Sequence, residues 1–350
     1  MNDHPTSTPE LFRHPVDFEA DPSSLVFTFG GVAPAASIRP GTVVSTATLD
    51  CFAGRVRRRS DLVSEVCDPR FINPQTGPFF VEGAEPGDTL AVHFVSIEPR
   101  DGPGVSTTVP FFGSLTGTRF TSLLHAALPE RTWFYEIDRG RRVVRYAALD
   151  TPFTTELPLD PMHGTVGVAP ALGEVRSSLT PGDWGGNMDT PEMRAGVTCY
   201  LGVNVEGALL SLGDGHARQG EGETCGVAVE CAMDTVFVVD LLKGVSTPWP
   251  RLESDEFLMT TGSTRPLEDA FRIAHVEMVR WVRELTGLSE MDAYQLVSQS
   301  ALTPVANVVD TNYTVVAKVP KDVLRGTGAA AMAGTHASLR SVAAALGGRG

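Results

Sequence analysis

The sequence predicts an α+β fold that is predominantly β, a sheet-rich body with helices packed late in the chain. Three observations carry this. Short β-branched and apolar runs bounded by Gly, Pro or Asp recur from residue 25 onward. Glycine and proline, 35 and 25 of 350 residues, supply frequent turns. Long apolar repeats at helical spacing appear only after residue 264.

The elements follow in chain order. Residues 1–24 are polar, rich in Pro and acidic groups, and predict a flexible N-terminal arm. They lack the basic and apolar regions of a secretory signal. The main domain spans 25–321. Strands are expected at 25–29, 42–49, 89–99, 153–159, 197–207, 208–217, 225–233, 236–242 and 312–320. Thr264 caps a helix with Pro266 in its first turn. Leu267, Phe271, Ala274, Met278, Trp281 and Leu285 line one face, and Gly287 closes it. Ser289 opens a second helix through about Ala301, with Asp292 completing a capping box. Residues 322–350 form an Ala/Gly-rich C-terminal extension, and Ala propensity favours a helix over 329–346. No internal repeat is present.

Composition narrows the partners. A net charge of −14 repels phosphate backbones, so no nucleic acid is expected. No run of roughly 18 apolar residues predicts a membrane span. Five cysteines without a CxxC pair read as buried, reduced thiols of a cytoplasmic protein. The run Arg55–Arg59 reads as a solvated turn or a subunit contact. His93, inside an apolar strand, reads as a core histidine.

The polar segment 181–223 holds the chemistry. It contains three pairs at i, i+2: Asn187 with Asp189, Asp214 with His216, and Glu221 with Glu223. In an extended segment such pairs share a face, so each can aim two groups at one point. A hydrolytic metal site needs N and O ligands, an open position and a nearby base. Each pair also has a bland reading. Asn187 and Asp189 fit Asx turns, Asp214-Gly215 fits a hairpin turn, and glutamates are usually solvated. No P-loop, GxSxG elbow or HExxH is present, and Gly213-x-Gly215 lacks the rest of a dinucleotide fingerprint.

Four blocks together resemble the acetamidase/formamidase family. They are GPFFVEGAEPGDTLAVHFVSIEP (77–99), PMHGTVGVAPA (161–171), PGDWGGNMDTPEMRAGVTCYLGVNVEGALLSLGDGHARQGEGETCGVAVE (181–230) and DAYQLVSQSALTPVANVVD (292–310). The likeness runs from about Leu25 to Pro320. It implies hydrolysis of formamide, acetamide or similar amides to ammonia and a carboxylate. It also implies a β-rich fold, a divalent metal (Zn2+, with Ca2+ as an additional cation) and a homo-oligomer, dimer or higher. On the matching positions it implies His216, Asp214, Asp50, Asn187 and Asp189 as metal ligands. Glu223 is the implied proton-transfer group, with Glu82 of VEGAEPGD as the alternative base. His163 and Trp184 are candidate substrate-pocket residues. His163 stands where the family pattern carries an aliphatic residue, and Glu221 where Asp is more usual. Two rival functions remain: a hydrolase of a larger or cyclic amide, and a non-catalytic, Ca-stabilised binding module.

Overall fold

A computed structural model describes residues 16–19, 24–116, 126–325 and 331–347. The rest of the expected arm and part of the extension lie outside these residues. Nine strands form one sheet in the order Val16–Phe18, Val43–Thr48 (β1), Met233–Leu242 (β10), Thr89–Pro99 (β3), Thr198–Gly202 (β7), Arg251–Glu253 (β11), Phe257–Thr264 (β12), Tyr313–Pro320 (β14) and Val305–Asn307 (β13). Only the first pairing is parallel, Val16 lying opposite Val44. A piece of the expected arm therefore sits in the sheet.

The second sheet has ten strands. Its order is Thr154–Pro158, Val143–Ala147, Arg131–Asp138, Gly104–Thr108 (β4), Val229–Glu230 (β9), Leu210–Arg218 (β8), Met162–Gly167 (β5) and Gly185–Asn187 (β6). Gln75–Val81 (β2) also pairs with β8, and Ala36–Ile38 pairs with β2. The sheets share one apolar core: Val44, Val92, Phe94 and Phe237 from the first, Phe79, Val166, Leu210 and Leu212 from the second.

Three helices cover the other face of the nine-stranded sheet: Leu267–Thr286 (α1), Glu290–Ser300 (α2) and Thr335–Gly347 (α3). Ala274, Met278, Trp281, Val297, Leu339 and Val342 pack there against Ala91, Tyr200, Val238 and Val315. Gly262 on β12 lets α1 approach closely, since a Cβ there would lie 2.7 Å from the Ala274 nitrogen. Helix α1 ends as expected at Gly287, whose φ of 70° suits the left-handed cap. It starts at Leu267 because Thr264 is still the last residue of β12. Ser289 caps α2 as expected, accepting from Asp292 N. Among the described residues no helix is long and apolar enough to cross a membrane. The fold is α+β, mostly β, with its long helices late in the chain.

Candidate active site

The site forms on β8, where the alternation of the strand is broken on purpose. Leu210 and Leu212 point into the core between the sheets. Ala217 does too, and a Cβ on Gly215 would strike Met233 of the facing sheet. Residues 212 and 215 differ in parity, so one residue must switch the phase. Asp214 does this with φ 58°. Asp214 and His216 thereby turn away from the core together. The i, i+2 pairing holds, and Asp214-Gly215 is mid-strand, not a hairpin turn.

Three loops bring further acids. Asp189 follows β6, Glu223 follows β8 and Asp310 follows β13. Glu230 sits on β9, directly opposite His216 across the ladder. Asp189, Asp214, Glu223, Glu230 and Asp310 are all buried around one imidazole. His216 Nε2 lies 3.2 Å from Glu230 Oε2 and 3.4 Å from Asp214 Oδ1, while Nδ1 is held by Gln219 at 2.9 Å. Donor atoms of Asp189, His216 and Glu223 all lie within 4.8 Å of one another, as do those of Cys51, Asp214 and Glu230.

An amide chain fixes the orientation. Gln75 Nε2 donates to Asn73 Oδ1 (2.8 Å), and Asn73 Nδ2 donates to Asn187 Oδ1 (2.8 Å). Asn187 Nδ2 then donates to both Asp189 Oδ2 (2.9 Å) and Asp310 Oδ2 (2.8 Å). Thr165 donates to Asn187 Oδ1 and lies 3.1 Å from Asp214 Oδ2. Both ends of the Asn187 amide are thus engaged, and it orients the carboxylates of Asp189 and Asp310.

The electrostatics follow from crowding. Burial, then the charges of Glu223, Asp310 and Asp214, push Asp189 well above the carboxylate range. Burial likewise raises Glu223 and Glu230, and lifts Asp310 to about 7. Burial works against a charged His216, yet Glu230 and Asp214 hold its pKa well above the usual value. Burial also works to raise Asp214, but the His216 charge and hydrogen bonds keep it low.

Several expected residues lie elsewhere. Glu82 is exposed on the turn after β2, accepting from Ser37 Oγ at 3.1 Å. It is seven residues along from Gln75, or about 20 Å at the rise of a strand. His163 faces the core, opposite to Gly164. Its Nδ1 meets Gly213 O at 2.9 Å and its Nε2 meets Thr235 Oγ1 at 2.7 Å, so it does not face the acid cluster. Trp184 is packed against Gly182 beneath the Arg176 guanidinium, in the inter-sheet core. Asp50 caps a turn, accepting from Phe52 N (2.8 Å) and Gly54 N (3.0 Å); burial raises its pKa, and Asp214 adds to this. Glu221 is exposed and diverges from Glu223, whose φ of 45° turns the loop inward.

Glu230, Cys51, Asp310, Gln219 and Asn73 join the site beyond those expected from the sequence. Glu230 alone carried a visible signal, a lone charge between Val229 and Cys231 in an apolar run.

The model of the acetamidase/formamidase family matches residues 29–173 and 103–325, over half the chain. The chain belongs to the acetamidase/formamidase family. Its fold is similar to the crystal structure of an acetamidase from Yersinia enterocolitica (TM-score 0.83, 39% identity, 89% of this chain and 94% of that one). An acetamidase from Bacillus halodurans is similar as well (TM-score 0.79, 31% identity, 90% and 100%). An acetamidase of Mycolicibacterium smegmatis is 28% identical over 266 residues, 61% of this chain and 64% of that protein. The chain thus matches just under two thirds of that relative's length.

Proposed function

We propose that this family member is a metal-dependent amidohydrolase cleaving short linear amides, such as formamide and acetamide, to ammonia and a carboxylate. One observation carries it: five buried carboxylates surround one imidazole, and one of their oxygens, Asp189 Oδ1, has no hydrogen-bond partner, while Glu230 Oε2 has only the His216 ring nitrogen at 3.2 Å. Buried polar atoms are almost always satisfied, so such orphans ask for a ligand. Gly164 leaves the room: a Cβ there would press on Asp189 Oδ1 and lie 2.5 Å from Asp214 Oδ2. Asp189, Asp214 and Glu223 all hold left-handed backbone (φ 45°, 58° and 45°). Such strain costs about 1–3 kcal/mol per residue and concentrates at functional sites.

The N and O donors fit a divalent cation, Zn2+ by the imidazole and Ca2+ by the oxygens. When bound, the cation supplies positive charge that polarises a carbonyl and makes water easier to deprotonate. His216, Asp214, Asp189 and Glu230 would hold it. Asn187 keeps Asp189 and Asp310 aimed, and Gln219 fixes His216 Nε2 toward the centre. Glu223 stands beside these ligands and takes the proton of the attacking water. The water oxygen bonds to the carbonyl carbon. Glu223 returns the proton to the nitrogen as the C–N bond breaks, releasing ammonia.

The test is ammonia release from a panel of amides, with and without chelator. Glu223→Gln should lower kcat by about 10²–10⁴-fold while metal content holds. Undiminished turnover in that variant removes Glu223 as the base, and full activity of metal-free protein ends the proposal.

A further inference from the structure

We infer that Cys51 is a thiolate ligand of the same centre, in a donor set with Asp214 and Glu230. This rests on the metal-dependent reading above and adds a donor of a different kind.

The local fold explains how a cysteine reaches an acid cluster. Asp50 ends the run after β1 by accepting from Phe52 N and Gly54 N. That turn pins the next residue. Asn73 N donates to the Cys51 carbonyl at 2.7 Å, tying it to the residue that starts the Asn73–Asn187 contact. The Cys51 side chain is buried at the edge of a small apolar cluster with Phe52, Val63 and Val105. Its Sγ, an Asp214 oxygen and a Glu230 oxygen all lie within 4.8 Å of one another.

A buried thiol between two carboxylates is a poor arrangement without a cation. A thiol is a weak donor and gives two acids little in return. Glu230, 2% exposed, has for its Oε2 only the charge contact with the His216 ring at 3.2 Å and no hydrogen bond of good geometry. A divalent cation satisfies all three donors at once. Binding breaks the S–H bond, the sulfur's electron pair forms the metal–sulfur bond, and the proton leaves to solvent. The four other cysteines join no such donor set among the described residues, and Cys225 is exposed. A sulfur donor selects Zn2+ or Co2+ over Ca2+ or Mg2+.

Cobalt substitution of the full chain tests this. Co2+-loaded protein should show a near-ultraviolet sulfur-to-cobalt charge-transfer band beside its visible bands. Cys51→Ser should lose that band and keep the visible ones, while Cys225→Ser keeps both. Zn2+ affinity should fall about 10–100-fold or more in Cys51→Ser, the loss typical of even indirect partners, with Ca2+ affinity nearly unchanged. X-ray absorption of the wild-type Zn2+ protein needs no variant and should show sulfur at about 2.3 Å. Bound metal with only N and O scatterers, or Cys51→Ser that binds Zn2+ as tightly as wild type, overturns the inference and leaves the metal-dependent reading standing. A protein that binds no divalent cation overturns both.

Discussion

The buried polar groups under the helices and those around His216 solve the same problem differently. On the helix side, charges are matched within the chain. Arg251, 4% exposed, donates to Glu277 Oε1 at 2.8 Å and to Glu284 at 3.1 Å, and lies over the Trp281 ring. Lys321 and Tyr200 both donate to Glu253. His336 and Arg340 face Asp255. Glu277 keeps one unbonded oxygen, but its charge is met. Around His216 on the ten-stranded sheet five carboxylates gather, Asp310 coming from the loop after β13, with one imidazole to meet them. A buried charge without a partner is expensive. The first region balances its charges within the fold; in the second, on the metal-dependent function proposed above, a cation would balance them.

The sharpest way to break this comparison is Arg251→Met. It leaves Glu277 buried without its cation and should destabilise the protein by about 3–5 kcal/mol. Denaturant midpoints measure it. Adding Glu277→Leu should recover most of the loss, since apolar replacements of whole pairs are well tolerated. Neither variant should change kcat for amides at temperatures where it stays folded. A large loss of turnover with native stability would mean the two regions are one.

Metal removal is the complement. Chelation should lower stability by about 4 kcal/mol if the cation is present near 1,000 times its Kd. Hydrogen exchange should rise in 185–190 and 210–230, with α1 and α3 little changed. Uniform change over the whole chain would erase the distinction drawn above.

A pH series sharpens it further. His93, on the helix side, is hydrogen-bonded through Thr198 to His336 at 2.9 Å on each side. Burial, then the His336 charge, lowers its pKa from 6.5 to about 4, with Asp255 opposing and Arg340 assisting. The folded state therefore resists protonation while the unfolded state accepts it. Stability from this group is full above pH 6.5 and is lost as pH falls toward 4. The total is about 3 kcal/mol. His93→Gln should flatten the stability slope between pH 7 and 5. An unchanged slope would assign the loss elsewhere.

Some of this was legible in the sequence, for identifiable reasons. Asp214 and His216 are two apart in an apolar strand run, and geometry alone puts them on one face. Gly287 and Ser289 mark helix ends through local backbone rules. Cys51 was not legible, and Glu230 showed only as a lone charge in an apolar run, because each reaches the cluster through pairing between distant segments: the residue-50 turn with Asn73, and β9 with β8. His163 stood out as a departure from the family pattern. Its side of the strand depends on register, which one sequence does not fix. The left-handed φ of Asp214, which decides where His216 points, has no composition signal at all.

Glu82 gives the smallest effect and tests how far local sequence blocks can mislead. It lies in the same block as β2, whose first residue Gln75 anchors the amide chain to the cluster. The strand carries Glu82 away from that chain, out to solvent, where its carboxylate accepts from the Ser37 hydroxyl. An exposed carboxylate with one hydroxyl partner should be worth no more than about 0.5 kcal/mol. Glu82→Gln should therefore leave kcat, KM and metal content at wild-type values, while Gln75→Leu at the other end of the strand lowers kcat by disturbing Asn73. If Glu82→Gln loses activity as Glu223→Gln is expected to, then neighbourhood in sequence has outweighed strand direction, and proton transfer belongs to an acid from outside the buried cluster.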